Sequence, residues 1–429
     1  MENLKGKFTQ SLTFKGIIIA LLVLILLIPS AMIQNLIKER QERSLETVQK
    51  INEKWSRSQT LCAPLLMIPY TTNIVDKEYK PFYEEHTLYV TPKNLKINVS
   101  LTPEERYYGI YKAILYKSNI HFEGVFSELA NLKIENSELH FNKAQMTISI
   151  TDLKGVTQNP IFTIGDKIHE TTFSGKTLVV NLKDTNFTDS LNFDCTMQLN
   201  GSSAMSFIPI GQHTSVTVDG QWQSPSFIGS FSPEATIDNK NFNAVWNILS
   251  FNRAIPNMWS DNNSTNLGDN SFGVNLIETV DHYQQNMRSA KYALMFIALT
   301  FIVFFFVEIF TKKPIQFFQY VLVGIALILF YSLLLSLSEQ IGFGWAYLTA
   351  SAATILMTTV YFYSLIKQKL ATFILAGIMI ILYAFLYIIL QVEEFALLFG
   401  SIFLFVILGV IMFVSNKIKL GKQITMNEE

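Results

Sequence analysis

The chain has 429 residues, of which 49% are hydrophobic, and a formal net charge of −1. A balanced charge gives no overall basic field, so we expect no nucleic-acid partner. The apolar residues gather at 16–37 and from 292 onward, which is typical of a membrane protein with one large polar insert.

Six apolar stretches predict six membrane-spanning helices, because a span needs about 20 apolar residues. The first stretch, 16–37, follows several lysines but precedes no clear cleavage site, so we expect an anchor rather than a signal peptide. The five others come after the insert, at 292–310, 315–338, 340–366, 370–392 and 395–416.

The charges between the spans predict their orientation. Lysines follow the second, fourth and sixth spans, whereas the loops after the third and fifth spans contain only acids. Because basic loops stay in the cytoplasm, both termini are predicted to be cytoplasmic and 38–289 to lie outside. The expected parts are 1–37 with the first span, 38–289 outside the membrane, 290–416 with five spans, and the tail 417–429.

Two acids near span ends are candidate functional residues. Glu339 separates the third and fourth spans, and we interpret it as a loop acid at the outer surface; a proton-accepting carboxylate in an outward cavity is the alternative. Glu308 lies four residues before Lys312, which predicts an ion pair on one helix face. No charge lies at the middle of a span, which disfavours ion-coupled transport.

The insert begins and ends with helical patterns and is β-rich between them. Apolar residues at Leu45, Val48, Ile51 and Trp55 predict that the first span continues as a helix, and 281–292 predicts a matching helix. Runs of period two, such as "KINVSLT" and "LNFDCTMQLNG", predict antiparallel strands. The predicted fold is α+β: one N-terminal transmembrane helix, a large all-β extracytoplasmic domain resembling an antiparallel sandwich, and a C-terminal bundle of five transmembrane helices.

The insert shows no recognisable catalytic motif. Its six histidines have no recurring metal-ligand spacing, and its adjacent acids point to opposite sides of a strand. We therefore expect no catalytic, cofactor-binding or metal residues, no cofactor and no enzyme, although acids from distant segments could still converge. Cys62 and Cys195 are expected to be separate buried thiols, with a disulfide as the alternative.

Several stretches resemble the CreD family of bacterial inner-membrane proteins. They are "LLIPSAMIQNLIKERQERS" (26–44), "APLLMIPY" (63–70), "ERYYGIYKA" (105–113), "SPSFIGSFSP" (224–233) and "QYVLVGIALILFYSLLLSLSEQIGF" (319–343). The resemblance covers nearly the whole chain, with departures at Ala63 and Ser230. It implies a multi-pass protein of the plasma membrane with a periplasmic domain and a link to envelope stress. It does not imply a reaction and identifies no catalytic residues.

The motif residues carry structural expectations. Pro64 and Pro69 suit an edge or bulged strand. Gly109 is expected to allow close backbone approach within a strand, and Gly229 to lie at a tight turn. The three aromatic residues of the motifs are expected to pack in a core. In chain order the motif residues are Pro64, Pro69, Glu105, Arg106, Gly109, Tyr111, Pro225, Phe227, Gly229 and Phe231.

Three functions remain open on the sequence. The leading hypothesis is an envelope-integrity protein whose β domain binds an envelope protein or cell-wall component, anchored in the lipid bilayer and of unspecified oligomeric state. The alternative is a transporter or lipid-handling protein with Glu339 as an outward-facing acid. The third is an envelope-modifying enzyme. A polar cavity among the spans that contains Glu339 or Glu308 would favour transport.

Overall fold

The computed structural model describes residues 12–75, 81–183, 185–261, 266–276, 282–311, 313–392 and 395–417. These residues form two compact units. One consists of Met1–Arg43 with Val280–Glu429 and is called the helical unit; the other is Ser44–Thr279 and is called the β unit.

The chain begins with two helices in close succession. Helix α1 spans Leu12–Ile25 and α2 spans Leu27–Trp55. The interruption at Leu26 is explained by Pro29, which has no N–H to donate to the carbonyl of the residue four positions earlier. The predicted continuation of the first span into the insert is confirmed, because α2 runs unbroken to Trp55.

The β unit contains 18 strands in the described part of the chain. Their bounds are β1 Gln59–Val75, β2 Pro81–Val90, β3 Asn94–Tyr108, β4 Tyr111–Ser127, β5 Ser137–Leu139, β6 Gln145–Ile150, β7 Ile161–Ile164, β8 Lys167–His169, β9 Thr171–Ser174, β10 Thr177–Asn181, β11 Ser190–Ser202, β12 Ala204–Ile208, β13 His213–Gly220, β14 Pro225–Gly229, β15 Glu234–Ile237, β16 Phe242–Leu249, β17 Met258–Ser260 and β18 Phe272–Leu276.

The strands form two sheets. The first has ten strands, with β14-β18-β12-β1-β6-β10-β9 as its main path and β2, β5 and β17 joined to it; the second has eight strands in the order β15-β16-β13-β3-β4-β11-β7-β8. Two pairs, β1 with β12 and β3 with β13, are parallel. The other strand pairs are antiparallel, as predicted, and these two exceptions join strands far apart in the sequence rather than hairpin neighbours.

One continuous apolar core lies within the β unit. Strand β11 shows why it forms: every second side chain is buried, from Leu191 through Phe193 and Cys195 to Leu199. Side chains of both sheets join the same cluster, for example Ile148 of β6 and Val216 of β13. Burial of this alternating face is the main apolar contribution to the stability of the unit.

A buried arginine fixes a loop at the border of this core. Arg253 is 7% exposed, and its guanidinium donates hydrogen bonds to the carbonyls of Ile210 and Gly211 at 2.8 and 3.2 Å and contacts that of Ile255. Burial lowers the pKa of Arg253 to about 10. The guanidinium thus supplies donors to backbone acceptors that would otherwise lack them in the interior.

In the described residues, the helical unit continues with six helices after the β unit. They are α3 His282–Lys291, α4 Ala293–Thr311, α5 Phe317–Ile341, α6 Phe343–Ile366, α7 Lys369–Gln391 and α8 Ala396–Lys417. Five helices of the described chain, with Phe14–Trp55 taken as one, are long and apolar enough to cross a membrane, and a sixth apolar stretch at Leu398–Val414 is shorter. These positions correspond to the six predicted spans.

Aromatic side chains pack the interior of the helical unit. Phe304 and Phe362 meet edge to face with ring centroids 5.0 Å apart, as do Phe330 and Tyr383 at 4.9 Å. The Tyr347 hydroxyl donates to the Tyr383 carbonyl at 2.7 Å. A groove of about 870 Å³ between α6 and α7 is lined mostly by apolar and aromatic side chains.

Candidate functional site

Glu308 lies in a polar cluster within the helical unit. Its side chain, on α4, is 11% exposed and forms an ion pair with Lys15 of α1. The Tyr320 hydroxyl on α5 donates to its other carboxylate oxygen at 3.0 Å. We call Lys15, Glu308 and Tyr320 the Glu308 clamp. The predicted partner, Lys312, lies outside the described residues, and the cation found here comes from a helix 293 residues away.

Glu339 lies in a second cluster of the same composition. It belongs to helix α5 rather than to a loop, because α5 continues to Ile341. Its side chain is 8% exposed; the Tyr283 hydroxyl donates to one carboxylate oxygen at 3.1 Å, and Arg40 lies 3.9 Å from the other. We call Arg40, Tyr283 and Glu339 the Glu339 clamp. The acid is therefore enclosed and partnered, unlike the solvated loop acid expected from the sequence.

A stripe of polar side chains on α3 faces the interior beside this clamp. Gln285, Asn286 and Ser289 are buried at helical spacing, and the Asn286 amide donates to the Ser338 hydroxyl at 2.7 Å. The side-chain oxygens Oε1 of Gln285, Oδ1 of Asn286 and Oγ of Ser289 have no hydrogen-bond partner among the described atoms. The polar spacing at 285, 286 and 289 is the sequence signal for this stripe, whereas the sequence predicts only a helix over 281–292.

The two clamps bind the N-terminal helices to the C-terminal helices at two levels. Lys15 and Arg40 are 25 positions apart, which corresponds to about 37 Å along a helix at 1.5 Å per residue. A bilayer has a hydrocarbon core of about 30 Å and a total thickness of about 40–45 Å. The clamps are thus spaced like the two interfaces of a membrane, where a charged pair is least costly.

The "ERYYGIYKA" motif forms the hairpin between β3 and β4. Lys112 donates to Glu105 at 2.7 Å, and this hydrogen bond is the main reason that the pKa of Glu105 is held below its ordinary value. Arg106 stacks 4.2 Å from the centre of the Trp55 ring. Tyr111 is half-buried at the start of β4 and is not part of the core cluster, contrary to the expectation of a core aromatic.

Gly109 is required by the turn and not by close packing. Its φ is +61°, and a Cβ there would meet nothing within 4 Å. Tyr108 pairs with Tyr111, so Gly109 is the first of two turn residues. Hairpin turns of this kind need positive φ at the first position, which glycine adopts readily. The expected close backbone approach within a strand is therefore wrong for this residue.

The two prolines of "APLLMIPY" lie in β1, which is a central strand and not an edge. Pro64 falls where the pairing of β1 with β6 shifts register, between Cys62 and Leu65. Pro69 lies between the β6 pairing, which ends at Met67, and the β5 pairing, which begins at Tyr70. Proline has no N–H to donate to a neighbouring strand. A bulge and a gap in pairing are places where a strand tolerates the lack of that donor.

The "SPSFIGSFSP" motif forms β14, from Pro225, and the turn after it. Phe227 meets Trp246 edge to face at 5.8 Å, and Phe231 meets Phe272 at 5.9 Å, so both aromatics pack against the core. Gly229 has φ +92°, and a Cβ there would lie 2.1 Å from the Ser271 carbonyl oxygen. Only glycine fits this position without moving the β18 backbone.

The outer face of the eight-stranded sheet carries a polar depression of about 560 Å³. Residues of β3, β4, β11 and β13 line it, including Asn94, Lys96, Glu123, Asn192, Asp194 and His213. The sequence predicted no metal site, yet His121, Glu123 and Asp194 lie together at this edge, with their nearest ligand atoms all within 4.8 Å of one another. Sequence spacing could not show the grouping, because Asp194 comes from another strand.

The sequence matches the profile of the family described as "Inner membrane protein CreD" over residues 11–420. The chain belongs to the CreD family. A curated relative, the inner membrane protein CreD of Escherichia coli (strain K12), is 28% identical over 434 residues, which cover 95% of each chain. The resemblance seen in the motifs is thereby confirmed, and this CreD-family chain is a membrane protein with several membrane-spanning helices.

Two solved structures of one peptidase share little with this CreD-family chain. The M1 zinc metallopeptidase of Deinococcus radiodurans gives a TM-score of 0.20 at 8% identity, over 44% of this chain and 42% of the other. A mutant of the same peptidase gives the same score at 7% identity, over 37% of this chain and 38% of the other. That score is too low to equate the two folds.

Proposed function

We propose that this CreD-family protein supports the integrity of the cell envelope through its β unit, which binds an envelope protein or a cell-wall component. The observation that supports this proposal is that the two acids near the span ends already have partners. Glu308 and Glu339 each have a cation and a tyrosine hydroxyl as partners. Neither acid is therefore left without a partner, and the polar depression of the β unit is the surface that we propose meets an envelope component.

The proposal includes an orientation. Basic and acidic loops alternate along the C-terminal spans, which supports cytoplasmic termini and a periplasmic location for 38–289 in an inner membrane. The β unit is then exposed to the cell wall and to periplasmic proteins. Its polar depression suits a partner that forms hydrogen bonds, because amide, carboxylate, ammonium and imidazole groups all line it.

We propose a binding role and not a catalytic one, with the transporter as the competing hypothesis. The burial of Glu339 beside unpartnered polar side chains on α3 favours transport. Against it, the groove between α6 and α7 is mostly apolar, and neither Glu308 nor Glu339 lines it. Tests in cells can separate the two hypotheses.

The first test is a complementation experiment. The gene is deleted in its host and restored as wild type, as a version lacking residues 56–280, as Asn192→Trp, or as Ser190→Trp, and survival is measured under detergent and cell-wall stress. Asn192 lines the depression, whereas Ser190 lies two residues earlier on the same strand and outside it. We expect loss of survival with the deletion and Asn192→Trp but not with Ser190→Trp.

Glu339→Gln is the second test. The glutamine keeps the shape and can still accept from Tyr283, but it cannot carry a proton-coupled charge. Full survival with this variant supports the β-unit proposal. Failure at normal membrane levels would overturn it in favour of transport. Survival with the version lacking 56–280 would also overturn it.

A further inference from the structure

His121, Glu123 and Asp194 are placed together by strand geometry. His121 and Glu123 are two residues apart on β4 and therefore point to the same face of the sheet. Asp194 on β11 lies directly opposite Glu123 in the register of the two strands. One donor atom from each side chain lies within 4.8 Å of the others, and Nε2 of His121 is 2.6 Å from Oδ2 of Asp194.

The three side chains come from a rigid part of the β unit. Strands β4 and β11 pair over 13 consecutive residues, from Ser190 opposite Ser127 to Ser202 opposite Leu115. Ligands on paired strands keep their spacing better than ligands on loops. Tetrahedral zinc at about 2.0–2.1 Å from each ligand keeps ligand atoms roughly 3.3 Å apart. Small rotations of the three side chains therefore suffice to bring their ligand atoms to this spacing.

A lysine, Lys96, is the counter-ion of Glu123 in this group. Lys96 on β3 lies directly opposite Glu123, and its ammonium is 2.7 Å from a Glu123 carboxylate oxygen. The two carboxylates and one ammonium sum to one net negative charge. A divalent cation would replace the ammonium at Glu123 and the hydrogen bond between His121 and Asp194.

We propose that His121, Glu123 and Asp194 form a zinc-binding site on the outer face of the β unit. An imidazole with two carboxylates suits a first-row transition cation better than calcium or magnesium, which prefer oxygen ligands alone. Three protein ligands leave a coordination position open. Glu123 and Asp194 also line the polar depression, so an oxygen atom of a bound partner can fill that position.

The test is a calorimetric titration of the full-length protein in detergent, freed of metal by a chelator, with Zn²⁺. We expect one site per chain in the wild type. His121→Ala should weaken binding by at least about tenfold, since it removes one of three ligands. The matched control is His213→Ala, because His213 lines the same depression without belonging to the group, and it should change the affinity less than about twofold.

A second variant should change the zinc affinity in the opposite direction. Lys96→Met removes the ammonium that competes for Glu123, so zinc should bind several-fold more tightly than in the wild type. No binding of zinc, equal affinities in wild type and His121→Ala, or weaker binding by Lys96→Met would overturn the proposal. The inference does not depend on the proposed function: zinc affinity is measured on purified protein, and survival is measured with Asn192→Trp, which keeps all three ligands.

Discussion

The ion pair of Lys15 with Glu308 should contribute strongly to the stability of the helical unit. Glu308 is 11% and Lys15 26% exposed, so the pair is largely out of water. Among the described residues, Lys15→Met leaves the carboxylate with one partner, the Tyr320 hydroxyl at 3.0 Å. Loss of one member of a buried pair costs about 3–5 kcal/mol. Because Lys15 is partly exposed, we expect a loss of about 2–3 kcal/mol in the free energy of unfolding.

A double-mutant cycle measures this link. Glu308→Gln removes the charge and can still accept from Tyr320, so the double variant with Lys15→Met should come within about 1 kcal/mol of the wild type. Because Lys15→Met alone costs about 2–3 kcal/mol and the double variant at most about 1 kcal/mol, the coupling energy is at least about 1 kcal/mol. Unfolding by sodium dodecyl sulfate in mixed micelles, followed by helical circular dichroism, gives the free energies for the full-length protein.

The control is the pair of Lys38 with Glu42 on α2. These side chains are 70% and 62% exposed and 3.9 Å apart, so their coupling should stay below about 0.5 kcal/mol. If the Lys15–Glu308 coupling is no larger than that of the control, the pair is hydrated and the clamp does not hold the N-terminal helices in place.

Three further predictions concern the β unit of the full-length protein. Arg253→Lys should lower the free energy of unfolding by about 1–3 kcal/mol for each buried carbonyl that loses its donor, and an unchanged unfolding temperature would contradict this. Gly229→Ala should destabilise by more than about 2 kcal/mol, whereas Ser226→Ala, three residues earlier on the same strand, should change stability by less than about 0.5 kcal/mol. Cys62 and Cys195 should resist maleimide until the protein is denatured, because both thiols are buried. Burial raises the pKa of Cys62 from 9.0 to about 12, so the stability from keeping this thiol neutral should be lost only as the pH rises above 9.0.

Local sequence patterns predicted the elements well. The alternation in "LNFDCTMQLNG" corresponds to the buried and exposed sides of β11, and the uncharged runs correspond to the apolar helices. These signals repeat within a few residues, so one short window contains them. The parallel pairing of β1 with β12 has no such signal, because its strands are more than 100 residues apart.

The candidate site was harder to predict for the same reason. Glu308 was assigned to the nearest cation in sequence, whereas Lys15 reaches it across 293 residues. Glu339 separates two uncharged runs and was therefore assigned to a loop, whereas it lies on α5 with Tyr283 and Arg40 as partners from distant parts of the sequence. The grouping of His121 with Asp194 likewise depends on the register of β4 with β11, which no motif records.

The order of residues in the clamps has a consequence for biosynthesis. Only Gly342 separates α5 from α6, so these two helices form a tight hairpin. A lone carboxylate opposes insertion into the bilayer, and less so near a span end, where both acids lie, than at the helix centre. Synthesis proceeds from the N-terminus, so Lys15 is made before Glu308 and Arg40 before Glu339. Each acid is therefore made after its cation, so the first helix is already present when the later helices are synthesised.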